Sequence, residues 1–191
     1  RALSRLDGLC ARLPIGQVEA VTTVDNEVSD ARLDGFRHLT IIRRKVGASD
    51  AACINSGIDS SSGALICLLR DASVVGLGHV LLREVQSAFD KPETGMVVLR
   101  SSSSGERLLC IPLANSEEGS LWESPCVVIR REVVKLVGGL DSIVFPGELA
   151  LADLSLRMAR IGFETKALVL PELEFAPDDK SFPIRRKSKE N

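Results

Sequence analysis

Apolar and polar positions along the chain alternate in long blocks, and one block sets the frame for the rest. Residues 63–75 read Gly-Ala-Leu-Ile-Cys-Leu-Leu-Arg-Asp-Ala-Ser-Val-Val, an apolar run that stops at a polar cluster. An unbroken apolar run predicts a strand buried on both faces, as in a parallel sheet with helices above and below. Ligands of such sheets bind beyond the carboxyl ends of the strands. Arg70, Asp71, Ala72 and Ser73 therefore fall where a site is expected.

The flanking pattern fills in the elements. Leu3, Leu6, Leu9, Cys10 and Leu13 recur at helical spacing ahead of Pro14. Residues 18–24 are rich in β-branched side chains and predict a strand ending at Asp25-Asn26. A short strand follows at 39–42. Ser49 is placed to cap a helix running to about Ser60, with Asp50 favourable in its first turn. Leu77, Val80, Leu81, Val85 and Phe89 mark an amphipathic helix. Residues 96–99 predict a strand, with 107–111 as its hairpin partner and 115–123 as a polar loop carrying Trp122. A strand at 126–129 leads into a short helix at 131–137 that Gly138-Gly139 stops. Leu151, Leu154, Met158 and Ile161 predict a last helix ending at Gly162, before a strand at 165–170.

Strand–helix alternation over the first hundred residues implies βαβ units. The expected fold class is α/β, a mixed but mainly parallel sheet with helices on both faces. Residues 1–176 form the expected domain. Residues 177–191, polar and basic around Arg185-Arg-Lys-Ser-Lys189, read as a tail or linker.

Composition narrows the function classes. A formal charge of −2 and a pI of about 5.8 give no electrostatic reason to expect nucleic acid. No apolar stretch reaches the ~18 residues a membrane span requires. Five widely spaced cysteines without a Cys-x-x-Cys predict buried, reduced thiols and a cytoplasmic protein. The chain opens on Arg1 rather than Met, so other domains of a longer polypeptide are expected partners.

The order of four motifs resembles the GT-A fold of family-2 glycosyltransferases, which move a sugar from a nucleotide-diphosphate donor. Val21-Thr-Thr-Val-Asp-Asn-Glu-Val-Ser-Asp30 is similar to the family's strand ending in Asp-Asn-x-Ser-x-Asp. Asn55-Ser-Gly-Ile58 and Ser62-Gly63-Ala-Leu-Ile66 are similar to its Asn-x-Gly-Ile helix and the start of its metal-site strand. Val127-Val-Ile-Arg-Arg-Glu-Val-Val134, Gly138-Gly-Leu-Asp141 and Asp153-Leu-Ser-Leu-Arg157 with Gly162-Phe163 resemble the block around its acceptor site. The resemblance implies a nucleotide-sugar ligand, with Asp25 at the base or ribose. The family's first strand would lie before Arg1.

The departures fall on the chemistry. Where the family ends its strand in Asp-x-Asp or Asn-x-Asp, this chain reads Arg70-Asp71-Ala72. The last acid of that triplet holds the cation that screens the diphosphate, and Ala72 has no ligand to offer. Mg²⁺ or Mn²⁺ enters only if Asp71 serves as a ligand; otherwise no cofactor is expected. Arg70 would then neutralise phosphate through its guanidinium. The family's Glu-Asp-x-Asp, which supplies the general base, is Ala150-Leu-Ala-Asp153 here. Glu148 and Asp153 are the remaining candidates for that role. Two expectations follow: a catalytically degenerate domain acting as a scaffold or interaction module, or an active metal-independent transferase. Asn55 is expected to tie adjacent loops from the helix interior. His38, His79 and the Gly76-Leu-Gly78 pair carry no partner at functional spacing.

Overall fold

A computed structural model describes residues 19–24, 39–69, 74–75, 79–101, 108–110, 120–122, 126–147, 149–170 and 174–175. The predicted helix at 1–13, His38, the glycine pair at 76 and 78 and the tail lie outside them.

The first unit is β1 (Ala20–Val24) and β2 (Leu39–Arg43), paired in parallel with Ala20 opposite Leu39. Helix α1 (Asp50–Ser60) follows. Its start is built as its sequence dictates: Ser49 Oγ accepts the Ala52 N–H at 3.2 Å, and Asp50 lies in the positive first turn. Ala51, Cys53 and Ile58 turn one face of α1 inward. The helix carries the chain from the carboxyl end of β2 to the amino end of β3 (Leu65–Leu69). At that amino end Glu19 accepts the Ser62 N–H at 2.9 Å and the Ser62 hydroxyl at 2.6 Å, which ties the start of β1 to the segment leading into β3. The two hydrogen bonds from Ser62 hold the Glu19 carboxyl below its ordinary pKa.

β4 (Val74–Val75) and α2 (His79–Ala88) come next, then β5 (Thr94–Ser101), β6 (Leu108–Cys110), β7 (Ser120–Trp122) and β8 (Cys126–Arg130). α3 (Arg131–Leu136) follows β8 with no intervening loop, and α4 (Leu149–Arg160), β9 (Glu164–Leu170) and β10 (Glu174–Phe175) end the described chain. Four strands form the main sheet in the order β3-β8-β5-β9. β8 runs antiparallel to β3 and β5, and β9 runs parallel to β5. Three of the four therefore point the same way and present their carboxyl ends on one side. The sheet is mixed and largely co-directional, as expected.

Two apolar layers cover it. Ile66, Met96, Val98, Val127 and Ile129 pack on one face against Ala51 and Ile58 of α1, Val133 and Val134 of α3 and Leu154 and Met158 of α4. Val97, Leu99, Cys126 and Val128 pack on the other against Val85 and Phe89. Alternation along β5 and β8 sends successive residues to opposite layers.

Three expectations are corrected. The apolar run at 65–69 is not the centre of the sheet. Among the described residues it is an edge, and Cys67 is exposed. β8, flanked by β3 and β5, is the strand with Cys126 to Ile129 buried throughout. Residues 108–110 do not pair with the 96–99 strand, because β8 and β9 already occupy both its edges. They pair with Ser120–Trp122, inside the segment read as a loop. Ile161 is half exposed, because α4 stops at Arg160 and Gly162 turns the chain at φ +92°. Phe163 packs inward in its place.

Arg130, the last residue of β8, holds the connection between α2 and β5. Its guanidinium donates to the carbonyls of Phe89 at 2.8 Å, Lys91 at 3.2 Å and Thr94 at 3.2 Å, and lies 5.4 Å over the Phe89 ring.

Candidate functional site

The co-directional strands place a site beyond Val24, Leu69, Ser101 and Leu170. Asp25, Arg70, Asp71 and Glu148 lie outside the described residues. Among the described residues no cluster of three or more His, Cys, Asp or Glu side chains comes together. What the structure does describe is the framework beside that end, and it is built around the turn after α3.

Gly138 and Gly139 both take left-handed backbone, at φ +85° and +78°. The Gly139 N–H bonds back to the Val134 carbonyl at 2.9 Å, a helix-ending pattern that a Cβ would strain. A Cβ at Gly139 would also come within 3.0 Å of Asn55 Oδ1. Asn55 occupies that space for a reason. Its Oδ1 accepts the Leu140 N–H at 2.9 Å and its Nδ2 donates to the Leu140 carbonyl at 2.8 Å. An amide with one acceptor and a donor fork suits both backbone groups of one residue. Asn55 ties α1 to a loop 85 residues later, as expected of it.

Arg157 closes the same turn from α4. It donates to the carbonyls of Val137 at 2.5 Å and Gly139 at 2.7 Å, satisfying groups a helix end leaves unpaired. Asp153, one turn earlier, holds the guanidinium through Oδ2, with Nε at 2.8 Å and Nη2 at 2.7 Å. Both side chains are largely buried, 26% exposed for Arg157 and 20% for Asp153. The signal for this pair was present as acid and base at i and i+4.

Beyond Leu140 the loop returns toward α1. Ser49 donates to the Ser142 carbonyl at 3.4 Å, and the Ala51 N–H to that of Pro146 at 3.2 Å. Since α1 starts at the carboxyl end of β2, this loop and the start of α4 flank the site side of the sheet. Asp141 Oδ1 accepts from the Ile143 and Val144 N–H groups at 3.0 and 2.9 Å. The Val144 and Ile143 hydrogen bonds, with Arg157 a smaller influence, hold the Asp141 carboxyl below its ordinary pKa. Ile143 and Val144 themselves are largely exposed.

An open cleft of about 700 Å³ lies at the opposite end, lined in part by Leu65, Phe89, Arg130, Arg131 and Lys135. Two of its cations are engaged: Arg130 on the three carbonyls above, and Arg131 on Ser61 Oγ at 2.8 Å. It sits at the amino end of β3, away from the strand ends where the site is expected.

No protein-family model and no curated protein sequence matches the chain. Solved structures do. A mannosyltransferase from Pyrobaculum calidifontis, solved with GDP-Man and Mn²⁺, is 13% identical, with a TM-score of 0.61 over 88% of this chain and 50% of that one. TarS from S. aureus is 13% identical, with a TM-score of 0.57 over 90% of this chain and 54% of that one. Glucosyl-3-phosphoglycerate synthase from Mycobacterium tuberculosis, solved with Mn²⁺, UDP-glucose and phosphoglyceric acid, is 12% identical, with a TM-score of 0.58 over 93% and 68%. The chain therefore has the GT-A-like fold of nucleotide-diphospho-sugar transferases, and it spans about half the length of the first two. CMP:2-keto-3-deoxy-manno-octonic acid synthetase, solved with CTP, shares the fold as well, at 12% identity with a TM-score of 0.55 over 88% of this chain and 78% of that one. The fold alone thus selects no reaction. Among the described residues, no helix is long and apolar enough to cross a membrane.

Proposed function

We propose that this chain is a family-2-glycosyltransferase-like domain that has lost catalysis and serves as a scaffold or interaction module within a larger cytoplasmic protein. A nucleotide sugar is the small-molecule ligand class its framework would accept. The observation that carries this reading is the commitment of Asp153 to Arg157. A general base must be free to reach the acceptor hydroxyl and take up its proton. Asp153 instead anchors the guanidinium that closes the end of α3. Loss of a positioned base costs on the order of 10²–10⁴ in rate, and Ala72 in place of a cation-holding acid removes further stabilisation of the leaving diphosphate. The residues that hold the framework together, Asn55, Gly139 and Arg157, are all present.

The test is a transfer and donor-hydrolysis assay with a panel of UDP- and GDP-sugars, paired with titration calorimetry with and without Mn²⁺. The expected result is neither transfer nor hydrolysis. Turnover by the purified chain would overturn the reading. Binding that survives EDTA and disappears in Arg70→Ala, accompanied by turnover, would establish the metal-independent transferase instead.

A further inference from the structure

Cys67 and Cys126 stand apart from everything above. Cys67 lies on β3 opposite Val128, and Cys126 lies on β8 opposite Leu69, so the two are diagonal neighbours on one sheet face. Their sulfurs are 3.5 Å apart. Cys67 is exposed, and Cys126 is fully buried in the layer with Val85, Phe89 and Val128. One thiol is thus open to a small oxidant, and a second already touches it. Contact with Cys67 and burial push the Cys126 thiol well above its ordinary pKa, so it stays protonated at neutral pH.

We propose that Cys67 and Cys126 form an oxidation site that closes to an intramolecular disulfide on exposure to hydrogen peroxide. The Cys67 thiolate attacks a peroxide oxygen; the O–O bond breaks, water leaves, and Cys67 becomes a sulfenic acid. The Cys126 sulfur then displaces the sulfenic oxygen. The S–S bond forms, the S–O bond breaks, and a second water leaves with the Cys126 proton. Two thiols lose two electrons in total, and one peroxide becomes two waters. The contact geometry compensates for the weak nucleophilicity of a protonated resolving thiol, because no search for a partner is needed.

The sulfurs must close by about 1.5 Å to reach bonding distance. β3 is an edge among the described residues, so it can slide along β8 with fewer contacts to disturb than an inner strand. A bridge across a diagonal requires that adjustment of the backbone. It would fasten β3 to β8 immediately before Arg70.

The experiment treats the whole chain with hydrogen peroxide at neutral pH, then combines non-reducing peptide mapping with thiol alkylation under denaturing conditions. Two of the five thiols are expected to disappear, with one cross-linked peptide joining Cys67 to Cys126 and lighter by two hydrogens. Dithiothreitol should restore both. In Cys67→Ser, a change at an exposed position, Cys126 should remain fully alkylatable after the same treatment. Oxidation of Cys67 to the sulfinic acid with Cys126 still a thiol, or a cross-link to any other cysteine, would overturn the proposal.

Discussion

The turn at Gly138–Leu140 and the loop just after it, residues 141–147, are neighbours with opposite construction. The first is gripped from two helices: Asn55 takes both backbone groups of Leu140, and Arg157 takes two carbonyls while Asp153 holds it in place. The second relies on Asp141 and two backbone contacts to α1, and it turns Ile143 and Val144 outward. The contrast separates framework from rim. The polar side chains around the first stretch, Asn55 and Arg157, are engaged by its backbone groups and define where α1, α3 and α4 meet. Those in the second shape a surface that tolerates change.

Arg157→Ala tests this contrast hardest. It strips two helix-end carbonyls of a charged donor and leaves Asp153 without its partner, so a loss of about 3 kcal/mol is expected by denaturant titration. Asp153→Asn, which keeps an acceptor beside the guanidinium, should cost about 1 kcal/mol. Equal losses in the two variants would mean that the ion pair, rather than the carbonyl contacts, is the stabilising unit. Gly139→Ala should cost about 2 kcal/mol, since it combines left-handed backbone with a Cβ pressed on Asn55. If its thermal midpoint matches the parent, the turn is looser than its geometry implies.

The loop should respond to acid before the turn does. The Asp141 carboxyl is held below its ordinary value, so what it contributes is present above the ordinary carboxylate range and is lost as pH falls through the depressed value. Protection of the Ile143 and Val144 amides from exchange, taken relative to the unfolded-chain rate at each pH, should therefore fall at strongly acidic pH and stay flat at neutral pH, and Asp141→Asn should abolish that dependence. At the bottom of the scale, Ile143→Ser should change stability by less than about 0.5 kcal/mol. A larger loss would mean that this side chain is buried against something in solution.

The sequence announced some of this and hid the rest for physical reasons. Ser49, Asp50 and the α1 boundaries were legible because capping is a local property written in adjacent residues. The stop at Gly138-Gly139 was legible for the same cause. The rank of β3 within the sheet was not. Leu-Ile-Cys-Leu-Leu and Cys-Val-Val-Ile-Arg read alike as apolar runs, and only the antiparallel return of β8 decides which one lies between neighbours. The pairing of 108–110 with 120–122 was hidden likewise, since it depends on β5 having no edge to offer. At the candidate site, Asn55 was legible as a tie between loops, whereas the partner of Asp153 was overlooked although its spacing spelled it out.

Arg130 grips the carbonyls of Phe89, Lys91 and Thr94 from a strand more than thirty residues downstream and so clamps both sides of one exposed corner. A protease that cut between Asp90 and Lys91 would leave two new ends still held by the same guanidinium. The nicked molecule should migrate as one species until it is denatured, which makes this corner a site where the chain can be opened without being taken apart.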